Sequence, residues 1–120
     1  MKIEGFQKLK VWQKAHNLVL KIYKLTETLP DKEKFCLSNQ IRRSSVSICA
    51  NIAEGQKKSK KDFLRFLDIS QGSLEETKYH LILCRDLGYC NTSDFEKISD
   101  LSDEVGKMLC GLSKKLRTLS

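Results

Sequence analysis

Apolar residues recur at three- and four-residue steps through four long segments of the chain, which is the spacing of amphipathic helices. The first segment predicts a helix over about 9–29. Pro30 is expected to stop it, because proline disfavours helical geometry in the residue before it. The apolar stripe of this helix consists of Leu9, Trp12, Ala15, Val19, Ile22 and Leu25.

The second segment predicts a helix over about 32–54. Asp31 is a suitable N-cap for it, and Gly55 fits the left-handed position just past a helix end. Its inner stripe consists of Phe35, Ser38, Ile41, Ser45, Ile48 and Ile52. Several residues on this helix are small, which permits close approach by another helix: Ser38, Ser44, Ser45, Ser47 and Ala50.

The third and fourth segments predict helices over about 60–87 and 94–116. Ser59 with Asp62, and Ser93 with Glu96, resemble capping boxes at the two starts. Gly88 is expected to end the third helix. The third stripe is Phe63, Phe66, Leu67, Ser70, Leu74, Thr77, Leu81 and Cys84, and the fourth is Phe95, Ile98, Leu101, Val105, Met108, Leu112 and Leu116.

The connections between these segments are short, and no alternating β pattern or hairpin signal is present. Short connections make consecutive helices antiparallel neighbours. We therefore predict an all-α fold, an antiparallel up-down-up-down four-helix bundle that forms one domain over residues 1–120.

The chain is basic, with a net charge of +7, and a basic surface attracts nucleic acid. Its five cysteines are widely spaced and include no CxxC pair, which favours a reducing cytoplasm over a disulfide framework. The start of the sequence, MKIEGFQKLK, has no apolar core of a signal peptide, and no apolar run is long enough to span a membrane. These features predict a cytoplasmic protein without a membrane partner.

Most of the net charge lies in one stretch, from Gln40 to Arg65, which holds seven basic residues against two acidic ones. It predicts a basic corner between the second and third helices. The candidate nucleic-acid-binding residues are Arg42, Arg43, Lys57, Lys58, Lys60, Lys61 and Arg65. A further set can extend this surface if the first helix lies on the same side: Lys2, Lys8, Lys10 and Lys14.

Each part of this stretch also has a structural interpretation. Arg42 or Arg43 can form an interhelical ion pair with Glu75 or Glu76, and lysines at a turn are often only solvated. The lysine run contains no aromatic residue, so base stacking is not indicated. Bound RNA or DNA would then be held through its phosphates, with steep salt dependence and weak sequence preference.

The sequence lacks the motifs that most enzymes of this size would carry. His80, Cys84 and Cys90 can be imagined as three metal ligands, but no fourth ligand and no standard zinc spacing accompany them. A glycine-rich phosphate loop, a Glu-x-x-His pair and a Gly-x-Ser-x-Gly elbow are all missing from the sequence. We therefore expect no enzymatic activity, no cofactor and no metal.

Four blocks of the sequence together resemble a known family. They are LKVWQKAHNLVLKIY, FCLSNQIRRSSVSICANIAEG, KKDFLRFLDISQGSLEE and LGY. In this order they resemble the 23S rRNA intervening-sequence proteins, also called the four-helix bundle protein family. The resemblance covers nearly the whole chain.

The resemblance implies a small bacterial protein, often encoded within an insertion in the gene for large-subunit ribosomal RNA. It implies a homo-oligomer in which bundles assemble into rings, typically pentamers. A related branch serves as the accessory protein of diversity-generating retroelements, which implies by distant analogy a reverse transcriptase as partner. The present chain matches the intervening-sequence branch better than that branch.

Two functions are consistent with these observations. The first is a non-enzymatic oligomeric bundle that binds RNA or DNA electrostatically with little sequence specificity. The alternative is a ring-forming protein-interaction scaffold without nucleic-acid binding, in which the small-residue face of the second helix packs subunits together.

Overall fold

The computed structural model describes Lys2 and residues 4–119, and this part of the chain contains four α-helices and no strand. They are α1 (Lys10–Thr26), α2 (Leu37–Gln56), α3 (Lys60–Asp86) and α4 (Thr92–Thr118). Short 3-10 turns at Gly5–Lys8 and Asp31–Glu33 precede α1 and α2. The all-α prediction is confirmed.

The helices form a four-helix bundle of about 48 × 29 × 20 Å, in which each helix packs against the next and α1 closes against α4. The most extensive contact is between α2 and α3. Aliphatic side chains from all four helices fill the interior, and the largest of those that are fully buried are Leu18, Ile22, Ile41, Ile48, Ile52, Leu67, Leu74, Leu81, Val105 and Leu109. Burial of such side chains is the main force that holds helices together.

Small polar side chains line the contact between α2 and α3. Thr77 Oγ1 donates to Ser44 Oγ at 2.8 Å, and Ser70 Oγ donates to the carbonyl oxygen of Ile48 at 2.9 Å. The hydroxyls of Ser47 and Ser73 lie 2.9 Å apart. Because these hydroxyls are satisfied, small polar residues can replace larger apolar ones here without an unpaired buried group.

Gly55 also belongs to this contact, and its predicted role past the end of the helix is wrong. The helix continues through Gln56, and the positive-φ backbone predicted there does not occur at Gly55. A Cβ at Gly55 would lie 2.6 Å from the Cβ of Phe66. Gly55 is therefore required for close approach of α2 to α3 rather than for the turn.

The predicted start of α2 is also wrong. Asp31 is not its N-cap, because residues Asp31–Glu33 form a separate 3-10 turn and Cys36 occupies the cap position without a side-chain cap bond. Phe35, predicted to face the core, is 83% exposed. It precedes the first helical residue, Leu37, so the helical spacing that places Ser38 and Ile41 inside does not extend back to it.

The ends of α3 agree closely with the sequence, whereas α1 ends at Thr26, three residues before the predicted end at about 29. Ser59 caps α3 by accepting from the backbone N–H of Asp62 at 3.3 Å, and Gly88 follows α3 with a φ of 79°. Asn91, rather than Ser93, caps α4 and accepts from the backbone N–H of Asp94 at 2.8 Å. The predicted Ser93–Glu96 box is wrong because α4 begins two residues earlier than expected.

All five cysteines are free thiols, and two of them are buried. Burial raises the pKa of Cys49 to about 12 and that of Cys84 to about 11. Both therefore act as small apolar side chains at neutral pH. None of the helices in the described part of the chain combines the length and apolar composition that a membrane crossing requires.

Candidate nucleic-acid interface

The predicted basic residues occupy two separate places in the structure. The turn between α2 and α3 carries four exposed lysines, here called the turn lysines: Lys57, Lys58, Lys60 and Lys61. Four of the five residues from Lys57 to Lys61 are lysines. They lie close together because the connection between Gln56, where α2 ends, and Lys60, where α3 begins, is very short. The turn is fixed by the Ser59 cap and by the N–H of Lys58, which donates to the carbonyl oxygen of Gly55 at 2.9 Å.

Arg65 extends this group along α3, one helical turn beyond Lys61. It is exposed, and its guanidinium lies 4.7 Å from the centre of the Phe66 ring. The ring attracts the guanidinium through a cation–π contact, and the arginine remains exposed to solvent.

Arg42 and Arg43 lie nearer the start of α2, away from the turn, and do not join the turn lysines. About fourteen residues separate Arg43 from Lys57, which corresponds to roughly 20 Å of helix. Arg42 contacts α1 instead: its Nε donates to Thr26 Oγ1 at 2.6 Å, and its guanidinium lies 4.4 Å from the centre of the Tyr23 ring.

The predicted ion pair between either arginine and Glu75 or Glu76 is wrong. Glu75 pairs with Lys78 at 3.6 Å, and the Oε1 atom of Glu76 lies 3.6 Å from Nε2 of His80. Arg43 is exposed and lines a polar cavity of about 350 Å³ between α2 and α3, together with Asn39, Gln40, Ser44, Ser47 and Glu76.

The N-terminal turn brings a second basic group to the α2–α3 turn. Glu4 Oε2 lies 3.4 Å from Lys57 Nζ, and Gly5 packs on the side chain of Gln56. Lys8 and Lys10 are exposed and follow directly, so they lie at the same end of the bundle. Lys14 lies one helical turn after Lys10 and pairs with Glu104 at 3.2 Å. Its positive charge is therefore partly neutralised and contributes less to the basic surface.

The last turns of α4 supply a third basic group, Lys114, Lys115 and Arg117, which was not among the candidate residues of the sequence analysis. Arg117 lies 3.7 Å from Asp68, and Gln71 Nε2 donates to Cys110 Sγ at 3.1 Å. These contacts place the end of α4 beside the beginning of α3. The predicted order of the helices could have revealed this position. In an up-down-up-down bundle the second and fourth helices run in the same direction, so both end at the same end of the bundle.

The three groups form one surface, which we call the basic end. It consists of Lys8, Lys10, the turn lysines, Arg65, Lys114, Lys115 and Arg117. When each helix is divided at its midpoint, the half with this end (Lys2 and residues 4–17, 47–72 and 106–119) has 13 basic and four acidic side chains, and the other half has nine basic and 11 acidic. The charge is therefore strongly polarised along the bundle.

Three aromatic rings lie at the same end, in the seam between the N-terminal turn and α1. Phe6 meets Trp12 edge to face with ring centres 5.2 Å apart. Trp12 stacks on His16 with ring centres 4.9 Å apart and an angle of 8° between the planes. Sequence reasoning missed this group because its members lie far in sequence from the lysine run.

The His80, Cys84 and Cys90 trio is not assembled as a metal centre: within the described residues, no three side chains of His, Cys, Asp or Glu come together in that way. His80 is buried, and neither of its ring nitrogens has a hydrogen-bond partner. Burial, with smaller effects from Cys90 and Glu33, raises the pKa of Cys84, so that it is a neutral thiol at neutral pH.

Comparison with known proteins reveals similarity to a protein family and to solved structures. The family model described as 23S rRNA-intervening sequence protein matches residues 7–111. A crystal structure of a protein of unknown function from the S23 ribosomal protein family of Bacteroides thetaiotaomicron is 35% identical, with a TM-score of 0.79; the match covers 87% of the present chain and 95% of that chain. A search of curated proteins found no significant match.

Proposed function

The chain belongs to the family of 23S rRNA-intervening sequence proteins, and from this premise we propose that it is a non-enzymatic protein that binds RNA or DNA through its basic end. The observation that carries the proposal is the segregation of charge. Thirteen basic and four acidic side chains occupy the half of the bundle with the basic end. A surface of one sign concentrates a polyanion near it and accelerates its association.

The chemistry of this surface supports contact with phosphates rather than with base edges. The turn lysines are point charges on flexible stems, and within the described residues only Lys57 among them has a carboxylate partner. That pair is exposed on both sides, and exposed pairs stabilise by about 0–1 kcal/mol, so a phosphate can compete with Glu4 for the ammonium group. Lysine contacts to phosphate carry no sequence information, which accounts for the weak specificity that we propose.

The arrangement that we propose for the helices is antiparallel, up-down-up-down. It is supported by the order of contacts between α2 and α3, where Ser44 meets Thr77 and Ile48 meets Ser70. It is also supported by α3 and α4, where Lys78 pairs with Asp103 and Asp68 with Arg117. In both cases the residue number rises on one helix as it falls on the other.

The proposal is tested by comparing two variants that carry the same loss of charge. In the first, the four turn lysines are replaced with glutamine. In the second, four exposed lysines of the opposite half are replaced with glutamine; we call them the distal lysines: Lys21, Lys24, Lys32 and Lys97.

Binding of a fluorescent single-stranded RNA at about 0.1 M salt is measured for both variants and for the unmodified protein. We expect the turn variant to bind at least tenfold more weakly and the distal variant to bind nearly as well as the unmodified chain, because charges more than a Debye length of about 10 Å away are screened. Equal losses in the two variants would assign binding to net charge alone. Unchanged circular dichroism confirms that both variants are folded.

A second candidate function is a ring-forming interaction scaffold without nucleic-acid binding. Ser47 and Ser73 meet at the outer surface of the α2–α3 contact, and helical spacing places Ala50, Ile69 and Gly72 beside them. This strip of small and apolar side chains suits a second subunit. Most of the small residues predicted for that purpose, however, are buried within the chain: Ser38, Ser44 and Ser45.

Assembly and nucleic-acid binding are tested separately. Native mass spectrometry at micromolar concentration measures the stoichiometry, for which the family resemblance implies a pentamer; a monomer would contradict the scaffold. Pull-down from cells with and without nuclease separates protein partners from partners held through RNA. A reverse transcriptase as partner stays a prediction of the resemblance, and the same pull-down tests it.

A further inference from the structure

The chain contains one tryptophan, and it lies in the middle of the aromatic group at the basic end. Trp12 is half-buried, and it is held by Phe6 on one side and by the parallel ring of His16 on the other. His16 is exposed. The outermost ring of the group is therefore accessible and already held parallel to the ring beneath it.

The connections of the N-terminal turn place this group next to the charged surface. Phe6 belongs to the turn that packs on Gln56 and pairs with Lys57 through Glu4. Lys8 and Lys10 lie between Phe6 and Trp12 in sequence, and both are exposed. A strand of nucleic acid whose phosphates contact these lysines has its bases within reach of the rings.

We propose that Phe6, Trp12 and His16 form a stacking platform for an unpaired base, so that the preferred ligand of the basic end is single-stranded nucleic acid. This inference rests on the proposed function and names its substrate class. Stacking is available to single strands because their bases are free to turn outward, whereas the bases of a duplex are already stacked on one another. Every base has a π face, so a platform of this kind adds affinity without adding sequence specificity.

The geometry assigns different tasks to the three rings. Phe6 meets Trp12 at an interplanar angle of 65°, so it supports the edge of the indole and fixes its orientation. Trp12 and His16 are nearly parallel, as two stacked bases are. A base that lies on His16 continues this stack, and the nearby lysines hold the phosphates on either side of it.

The test compares two single-stranded oligodeoxynucleotides of about 12 nucleotides, a length within the range that single-strand-binding domains cover. One is oligodeoxyadenylate, and the other has the same phosphates but abasic sugars. Trp12 fluorescence reports the ring environment directly, because the chain has no other tryptophan. His16→Ala removes the accessible ring, His16→Phe retains a flat one, and Asn17→Ala is a matched change at the neighbouring exposed position.

We expect oligodeoxyadenylate to bind about tenfold more tightly than the abasic strand and to quench Trp12 more strongly, since one stacked base contributes that order of affinity. His16→Ala should remove this preference while leaving the affinity for the abasic strand unchanged. His16→Phe and Asn17→Ala should both preserve it.

Equal affinity and equal quenching for the two strands would overturn the stacking platform and leave phosphate binding by the basic end intact. Loss of the preference in Asn17→Ala as well would also overturn it, because the effect would then not depend on the ring. No binding of either strand at low salt would overturn the proposed function itself, together with this inference.

Discussion

Replacement of Gly55 with alanine adds one methyl group where α2 packs against α3, and the structure leaves no room for it. A Cβ at this position would lie 2.6 Å from the Cβ of Phe66 and 3.0 Å from Cδ1 of Phe63. The Phe66 Cβ is bonded directly to the backbone of α3, so rotation of a side chain cannot move it away. The two helices must therefore separate, and the hydrogen-bonded contact between them must loosen.

The expected loss of stability follows from two opposing effects. Overpacking of a core costs about 1–3 kcal/mol, and a contact to a backbone-linked carbon belongs at the upper end of that range. Alanine is a better helix former than glycine by about 1 kcal/mol, so the net decrease in the free energy of unfolding is ~2 kcal/mol.

The matched control is Gly111→Ala, in which the same methyl group is added at an exposed position of α4 with no neighbouring atom within 4 Å. Here only the helix preference operates, and stability should rise by about 0.5–1 kcal/mol. Urea unfolding of both variants is followed by circular dichroism at one fixed protein concentration. If Gly55→Ala proved as stabilising as Gly111→Ala, the close approach of α2 and α3 described here would be refuted.

Three further predictions concern individual contacts. Arg42→Ala should lower the free energy of unfolding by about 1–2 kcal/mol, because it removes a charged hydrogen bond and a contact with an aromatic ring. Arg43→Ala should change it by less than about 0.5 kcal/mol. Both are measured by urea unfolding, and equal losses of stability in the two variants would contradict the prediction. Asn91→Ala should lower the free energy of unfolding by about 1 kcal/mol through loss of the α4 cap, and Ser93→Ala should be nearly neutral. Thermal unfolding measures both variants, and a larger loss of stability in Ser93→Ala than in Asn91→Ala would indicate that Ser93 is the cap after all. Burial raises the pKa of Cys49 from an ordinary value of 9.0 to about 12, so its neutral thiol stabilises the fold below about pH 9 and this contribution is lost as the pH rises towards 12. The free energy of unfolding of Cys49→Ala should therefore fall less between pH 9 and 12 than that of the unmodified chain. Parallel curves of stability against pH for the two proteins would count against a buried neutral thiol.

The periodic stripes of the sequence predicted the helices well because the first three stripes are buried over most of their length, and the residues of the fourth are buried or packed against the core. Ile41, Ile48 and Ile52 are fully buried at the spacing that a helix requires. Spacing alone failed at Phe35, since a residue can satisfy the helical pattern while it lies in the turn that precedes the helix. The spacing of apolar residues does not by itself show where the chain becomes helical.

The candidate interface could be predicted only in part, for a related reason. The turn lysines are neighbours in sequence, so their run was visible directly. The contribution of Arg117 and of the Phe6–Trp12–His16 group depends on which helix ends meet, and that is decided by tertiary packing. The partners of Arg42 were misassigned because the arginine is oriented towards α1, which contains no carboxylate, whereas the sequence analysis considered Glu75 and Glu76 of α3.

The salt dependence of RNA binding tests the central claim, that the basic end contacts phosphates, most directly. The dissociation constant for a single-stranded RNA is measured at several salt concentrations for the unmodified chain and for the variant with the four turn lysines replaced by glutamine. For single strands each phosphate contact contributes about 0.7 to the slope of log K against log salt concentration, so loss of four contacts should reduce the magnitude of the slope by about 3. Identical slopes for the two proteins would contradict the account.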